Sequence, residues 1–144
     1  MKTIVNATSK KVAEVFLLFM NNTGKHTNGN AISFGNTQVR KENNAITVTV
    51  GGKPIVTATP DADSGEYTYL LEPRNSTALN RIVGLKDALD WEFDLVWVGS
   101  SPFVLVIDET GQEKTGNIIS IGALSRRTVE ELTEIARTPI QISE

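Results

Sequence analysis

The sequence predicts an α+β fold: a mainly antiparallel sheet of about seven or eight strands with three helices, in a single domain over residues 1–144. Three observations lead there. Several short runs alternate apolar and polar residues with period two. Three well-separated stretches instead repeat at helical spacing. Most links between the predicted strands are too short to hold a crossover helix, which favours antiparallel pairing.

The first helix runs from about residue 8 to Met20. Thr8 or Ser9 is its expected N-cap. Val12, Val15, Phe16 and Phe19 recur at helical spacing, and Leu17, Leu18 and Met20 widen the apolar side. Such a helix is expected to be buried against a sheet or a partner. Asn21, Asn22 and Gly24 end it.

A strand-rich block follows. Ile32 and Phe34 alternate with polar neighbours, and Thr37 to Lys41 reads as a short strand with Val39 inward. "AITVTVGGKPIVTAT" is the clearest local pattern. Ile46, Val48 and Val50 alternate with Thr47 and Thr49, and Gly51-Gly52 supplies the positive φ of a tight hairpin turn. "PDADSG" is a loop, and "EYTYLL" is a further strand.

The period then changes. Asn75 or Ser76 caps a helix whose inner stripe is Leu79, Ile82 and Val83. Gly84 either ends it or is a weak point worth about 1 kcal/mol. "EFDLVWV" and "FVLVID" are two strands joined by "GSSP", the second apolar on both faces as a central strand should be. "ETGQEKTG" reads as a turn and "NIISIGAL" as a strand. Ser125 or Thr128 caps the last helix, with Thr128 and Glu131 spaced for a capping box. Pro139 stops it, and "IQI" can add an edge strand.

Composition narrows the chemistry. The chain is 40% hydrophobic and 22% charged, the balance of a globular protein rather than a disordered one. It has no cysteine, which removes disulfides, thiol nucleophiles and cysteine-based metal sites. No stretch approaches the roughly 20 apolar residues of a membrane span. The apolar run from Val12 to Met20 is broken by Glu14 and lacks a cleavage site, so a secretory signal is not expected and a cytoplasmic location is.

Charge is unevenly distributed. Residues 1–60 carry seven Lys or Arg against two Glu, whereas residues 61–144 carry seven Lys or Arg against fifteen Asp or Glu. Solvated faces account for this simply. A bipolar surface is the sharper reading, suited to an anion at one end or to homo-oligomers stacked head to tail.

Catalytic motifs are sparse. His26 is the single histidine, so two-histidine chemistries and paired-histidine metal sites are excluded. Gly24-Lys25 is followed by His26 where a phosphate-binding loop has Ser or Thr, and Gly51-Gly52-Lys53 is better read as the hairpin turn. Asp87, Asp90, Glu92 and Asp94 cluster as a candidate Mg²⁺ site, but no acid-x-Lys step follows Pro60-Asp61 to complete a nuclease pattern. No cofactor is implied.

The basic residues offer the main functional indication. Lys25, Arg40 and Lys41 lie in the first half, and Arg74, Arg81, Arg126 and Arg127 flank the starts of the second and third helices. Arginine suits planar recognition of phosphate or carboxylate, and helix starts favour anions. A cation at such a start opposes the helix dipole by about 0.3–1 kcal/mol, so an acidic neighbour or an anionic ligand should offset it. The pI near 5.2 argues against a broad nucleic-acid face.

"NAISFGNTQV", "TVTVGGKPIVTAT" and "RNSTALNRI", within residues 30–85, resemble the style of small phage- or plasmid-encoded proteins. The resemblance implies a viral origin and carries no site residue. The expected function is a non-enzymatic phage-type binding protein in the host cytoplasm. It would recognise a small anionic ligand or a host protein surface, for example to inhibit a defence system. A capsid-decorating or connector subunit and a Mg²⁺-dependent nuclease are the alternatives.

Overall fold

A computed structural model describes residues 3–107, 113–120 and 127–137. Among them are α1 (Ala7–Met20), β1 (Ala31–Phe34), β2 (Thr37–Glu42), β3 (Ala45–Val50), β4 (Lys53–Pro60) and β5 (Tyr67–Leu71). Then come α2 (Ser76–Leu89), β6 (Asp94–Val98), β7 (Ser101–Ile107), β8 (Glu113–Ser120), β9 (Arg127–Thr128) and α3 (Val129–Arg137). Strands β1 to β5 form a meander that β9 extends beside β5, and β6, β7 and β8 form a second sheet. Every described pairing is antiparallel. The α+β class is therefore observed, with its strands divided between two sheets.

Turn chemistry sets the meander. Gly51 and Gly52 have φ of +59° and +80°, the paired positive values of a two-residue hairpin turn that matches strand twist. Asn43 and Asn44 do the same between β2 and β3 at φ of 50° and 67°. Asparagine tolerates this region better than other residues with a Cβ.

One face of the large sheet is apolar. Val39, Ile46, Val48, Val56, Ala58 and Leu71 are fully buried and join Val12, Phe16 and Phe19 of α1 and Ile82 of α2 in one core. Each Val, Ile, Leu or Phe side chain among these contributes about 1.5–3 kcal/mol on leaving water. The opposite face carries Arg40, Thr47, Thr49, Thr57, Thr59 and Thr68, which stay exposed or half-buried.

The helix ends differ in part from expectation. The cap of α1 is Asn6, whose Oδ1 accepts from the Ser9 N–H at 2.9 Å; Thr8 and Ser9 lie inside the first turn. Ser9 is fully buried, and its hydroxyl is committed to α2. Asn75 caps α2, accepting from the Ala78 N–H at 2.8 Å. Thr128 and Glu131 form the expected capping box, the Glu131 N–H donating to Thr128 Oγ1 at 3.1 Å and the Thr128 N–H to Glu131 Oε1 at 3.2 Å.

α2 continues through Gly84 to Leu89. A Cβ at Gly84 would sit 3.0 Å from the Ser9 carbonyl oxygen, so glycine is what lets α1 and α2 approach. For Gly84→Ala the steric cost is about 1–3 kcal/mol, against a helix-propensity gain of about 1 kcal/mol. The obstructing atom is backbone, so little relief is available. A net loss of about 1 kcal/mol is expected, read as a lowered urea midpoint; an unchanged or raised midpoint would show that the helices separate freely.

In the small sheet β7 is central, as its two apolar faces predict, with Val104 fully buried and Leu105 nearly so. β8 begins at Glu113, inside the stretch expected to be a turn. The expected edge strand over residues 140–142, and Ser125, lie outside the described residues. No described helix is long and apolar enough to cross a membrane.

Candidate functional site

The asparagine-rich segment after α1 is a structural clasp. Asn28 and Asn44 are joined twice, Asn28 Nδ2 to Asn44 Oδ1 at 2.7 Å and the Asn44 N–H to Asn28 Oδ1 at 2.9 Å. The Gly29 N–H donates to Lys41 O at 2.7 Å, and the Lys41 N–H to Asn30 O at 3.1 Å. The segment is thereby fastened to the β2–β3 hairpin. His26 packs its ring edge-on against Phe19 at 5.1 Å, with Nδ1 3.0 Å from the Thr23 carbonyl. Its surroundings are those of a packing residue.

The basic residues expected to line one surface are dispersed. Lys41 is 2% exposed, and its ammonium donates to Phe19 O at 2.9 Å and Asn22 Oδ1 at 2.6 Å. It closes the C-terminal end of α1 from within and presents no charge to solvent. Arg81 is also buried, its NH1 donating to Ser9 Oγ at 2.8 Å and Asn6 Oδ1 at 3.1 Å, and its Nε to Thr37 Oγ1 at 3.1 Å. Burial pulls both groups below their ordinary pKa values.

The others are mostly matched to acids. Arg74 NH2 lies 3.2 Å from buried Glu72. Arg40 lies 3.2 Å from Glu42, and Arg127 lies 3.8 Å from Glu131 one helical turn away. Lys25 is exposed in the clasp, and Arg126 lies outside the described residues. Arg40 and Lys41 are neighbours on β2, so they point to opposite faces of the sheet. The acidic offset expected at the start of α2 is present as Glu72. At α1, Arg81 is offset only by neutral oxygens.

The carboxylates after α2 are spread out too. Asp94 holds Lys86 at 2.6 Å, and Asp87 reaches it at 3.4 Å. Burial pulls the Lys86 ammonium down, but the Asp94 hydrogen bond and charge outweigh this and leave its pKa above the ordinary value. Glu92 pairs with Arg137, and Asp90 is the left-handed C-cap of α2 at φ of 55°. Among the described residues no three His, Asp or Glu are placed to hold a metal ion.

These acids instead border a cleft of about 720 Å³ between the α2–β6 turn and α3. Asp90, Trp91 and Glu92 form one wall. Val129, Glu130, Thr133, Glu134 and Arg137 form the other, the spacing of a single helix face. Trp91 anchors the floor. It is 8% exposed and packed 5.0 Å from Tyr69 and 5.9 Å from Phe93. A smaller recess, which also borders Lys86, Phe93 and Asp94, shares Trp91 and Glu92 with the cleft.

Sequence reasoning found the acids on the first wall but not the cleft. Glu130 and Glu134 lie some forty positions downstream of Asp90, and only the packing of α3 brings the walls together. The isolated tryptophan within "DALDWEFD" was the available signal. Comparison of the chain with protein-family models, with curated proteins and with solved structures gives no match.

Proposed function

We propose that this chain is a non-enzymatic binding protein that engages a partner protein through the Trp91 cleft. The cleft itself carries this reading: it is concave, has an immobilised aromatic floor and is rimmed by charge. The reading of a small anionic ligand draws less support, because Lys41 and Arg81 are internal and Arg40, Arg74 and Arg127 face acids. The assembly-subunit alternative would use open strand edges, which β1 and the outer strands of the small sheet, β6 and β8, supply. The phage-like style of residues 30–85 makes host proteins the first partners to try.

A displayed random-peptide library selected on the folded protein tests the reading, with Thr133→Trp as a variant that fills the cleft. Peptides retained by the wild type and lost by at least tenfold on the variant support it. Retention of every selected peptide by a variant with the same melting temperature would overturn it.

A further inference from the structure

We infer that Asn28 is a site of spontaneous covalent modification: its side-chain amide is displaced by the Gly29 nitrogen when the clasp opens, and the product cannot refasten the segment to the β2–β3 hairpin. Asn28-Gly29 is the one Asn-Gly pair in the sequence. Glycine has no side chain to obstruct attack by its own nitrogen. The pair forms the centre of a tight turn. The Asn30 N–H donates to Thr27 O at 3.1 Å, and Gly29 has the positive φ, +89°, that the third position of a type II turn requires. Both residues are exposed, so water reaches them.

Closed, the clasp keeps the reacting groups engaged elsewhere. Both polar atoms of the Asn28 amide are bound to Asn44, at 2.7 and 2.9 Å, and the Gly29 N–H is bound to Lys41 O at 2.7 Å. Attack therefore waits on a local opening that breaks these bonds. The Gly29 nitrogen then gives up its proton and bonds to Asn28 Cγ, and the amide nitrogen leaves as ammonia. Water opens the resulting five-membered imide at one of its two carbonyl carbons. Opening at Cγ leaves an aspartate. Opening at the backbone carbonyl leaves an isoaspartate, which adds a methylene to the main chain. Neither product has an amide N–H to donate to Asn44 Oδ1, and the lengthened chain also shifts the Gly29 N–H from Lys41 O. The reaction adds a negative charge and needs no oxidant, reductant or enzyme.

The test incubates the full chain, folded and urea-unfolded, at mildly alkaline pH and follows every asparagine by peptide mapping. In the folded chain conversion is expected at Asn28 ahead of the others, and about tenfold slower than in the unfolded chain. Asn44→Ala removes the acceptor of the Asn28 amide and should speed conversion in the folded chain about fivefold. Asn44→Asp keeps an acceptor and suits the φ of 67° at this position, so it should convert at the wild-type rate. Converted protein, separated by its added charge, should melt below the unconverted form. Equal rates in folded and unfolded chain, no acceleration by Asn44→Ala relative to Asn44→Asp, another asparagine converting first in the fold, or an unchanged melting temperature would each overturn the inference. Should Asn44→Ala fail to fold, the comparison of folded with unfolded wild type decides without it.

Discussion

Arg81→Ala is expected to lower unfolding free energy by about 3 kcal/mol, among the largest effects of any polar substitution in this chain. The guanidinium is 6% exposed and joins three elements: Asn6 and Ser9 of the α1 start, Thr37 of β2, and α2 from which it projects. Its removal takes a donor from each oxygen and opens a cavity. Ser9 Oγ keeps its bond to Asn80 Oδ1 at 2.7 Å and Asn6 keeps the Ser9 N–H, but the hydroxyl of fully buried Thr37 has no other bonded partner among the described residues. Arg81→Met fills most of the volume and should cost about 1–2 kcal/mol. Arg81→Lys should fall between them, because one ammonium cannot span the three sites that the planar fork reaches. Urea denaturation ranks the series. A loss below about 1 kcal/mol for Arg81→Ala would show that water replaces the guanidinium without penalty.

That residue also shows where reading the sequence stopped. Arg81 was singled out as a cation flanking the start of α2 that requires compensation, whereas its guanidinium lies at the start of α1. The compensation lies in a different helix. Asn6, Ser9 and Thr37 are between 44 and 75 positions away, and nothing local marks them as its partners. Lys41 follows the same pattern. Alternation in β2 places it on the face with Val39, which is the buried one, so its position was legible while its burial seemed unlikely for a lysine. Local chemistry was read well by contrast. The Gly51-Gly52 turn, the Asn75 cap and the Thr128–Glu131 box depend on residues at most three apart. The helix through Gly84 was ambiguous because the deciding contact, with the Ser9 carbonyl, is long-range. The cleft was hidden for that reason as well.

Lys41→Ala should cost about 3 kcal/mol, and its pH dependence tests why. The side chain is 2% exposed, with its ammonium against the last turn of α1, where a cation favours the helix dipole. Truncation removes the buried stem, takes a donor from Phe19 O and Asn22 Oδ1, and leaves a cavity. Lys41→Met keeps the stem and should cost about 1 kcal/mol. Burial holds the Lys41 pKa below 10.5 in the folded chain. Between that lowered value and 10.5 the unfolded chain binds more protons than the folded one, so this group makes stability rise with pH there. Below the window the desolvation cost is present in full. Lys86 acts oppositely, since its raised pKa gives stability that is lost as pH climbs above 10.5. Tyr69, raised first by burial and then by Tyr67, also withdraws stability above pH 10. The difference between wild type and Lys41→Met cancels both. The wild-type advantage should therefore grow as pH rises through that window towards 10.5, measured as paired urea midpoints. A constant difference across that range would mean that Lys41 is hydrated in the folded chain, and its ammonium would then be available at the surface after all.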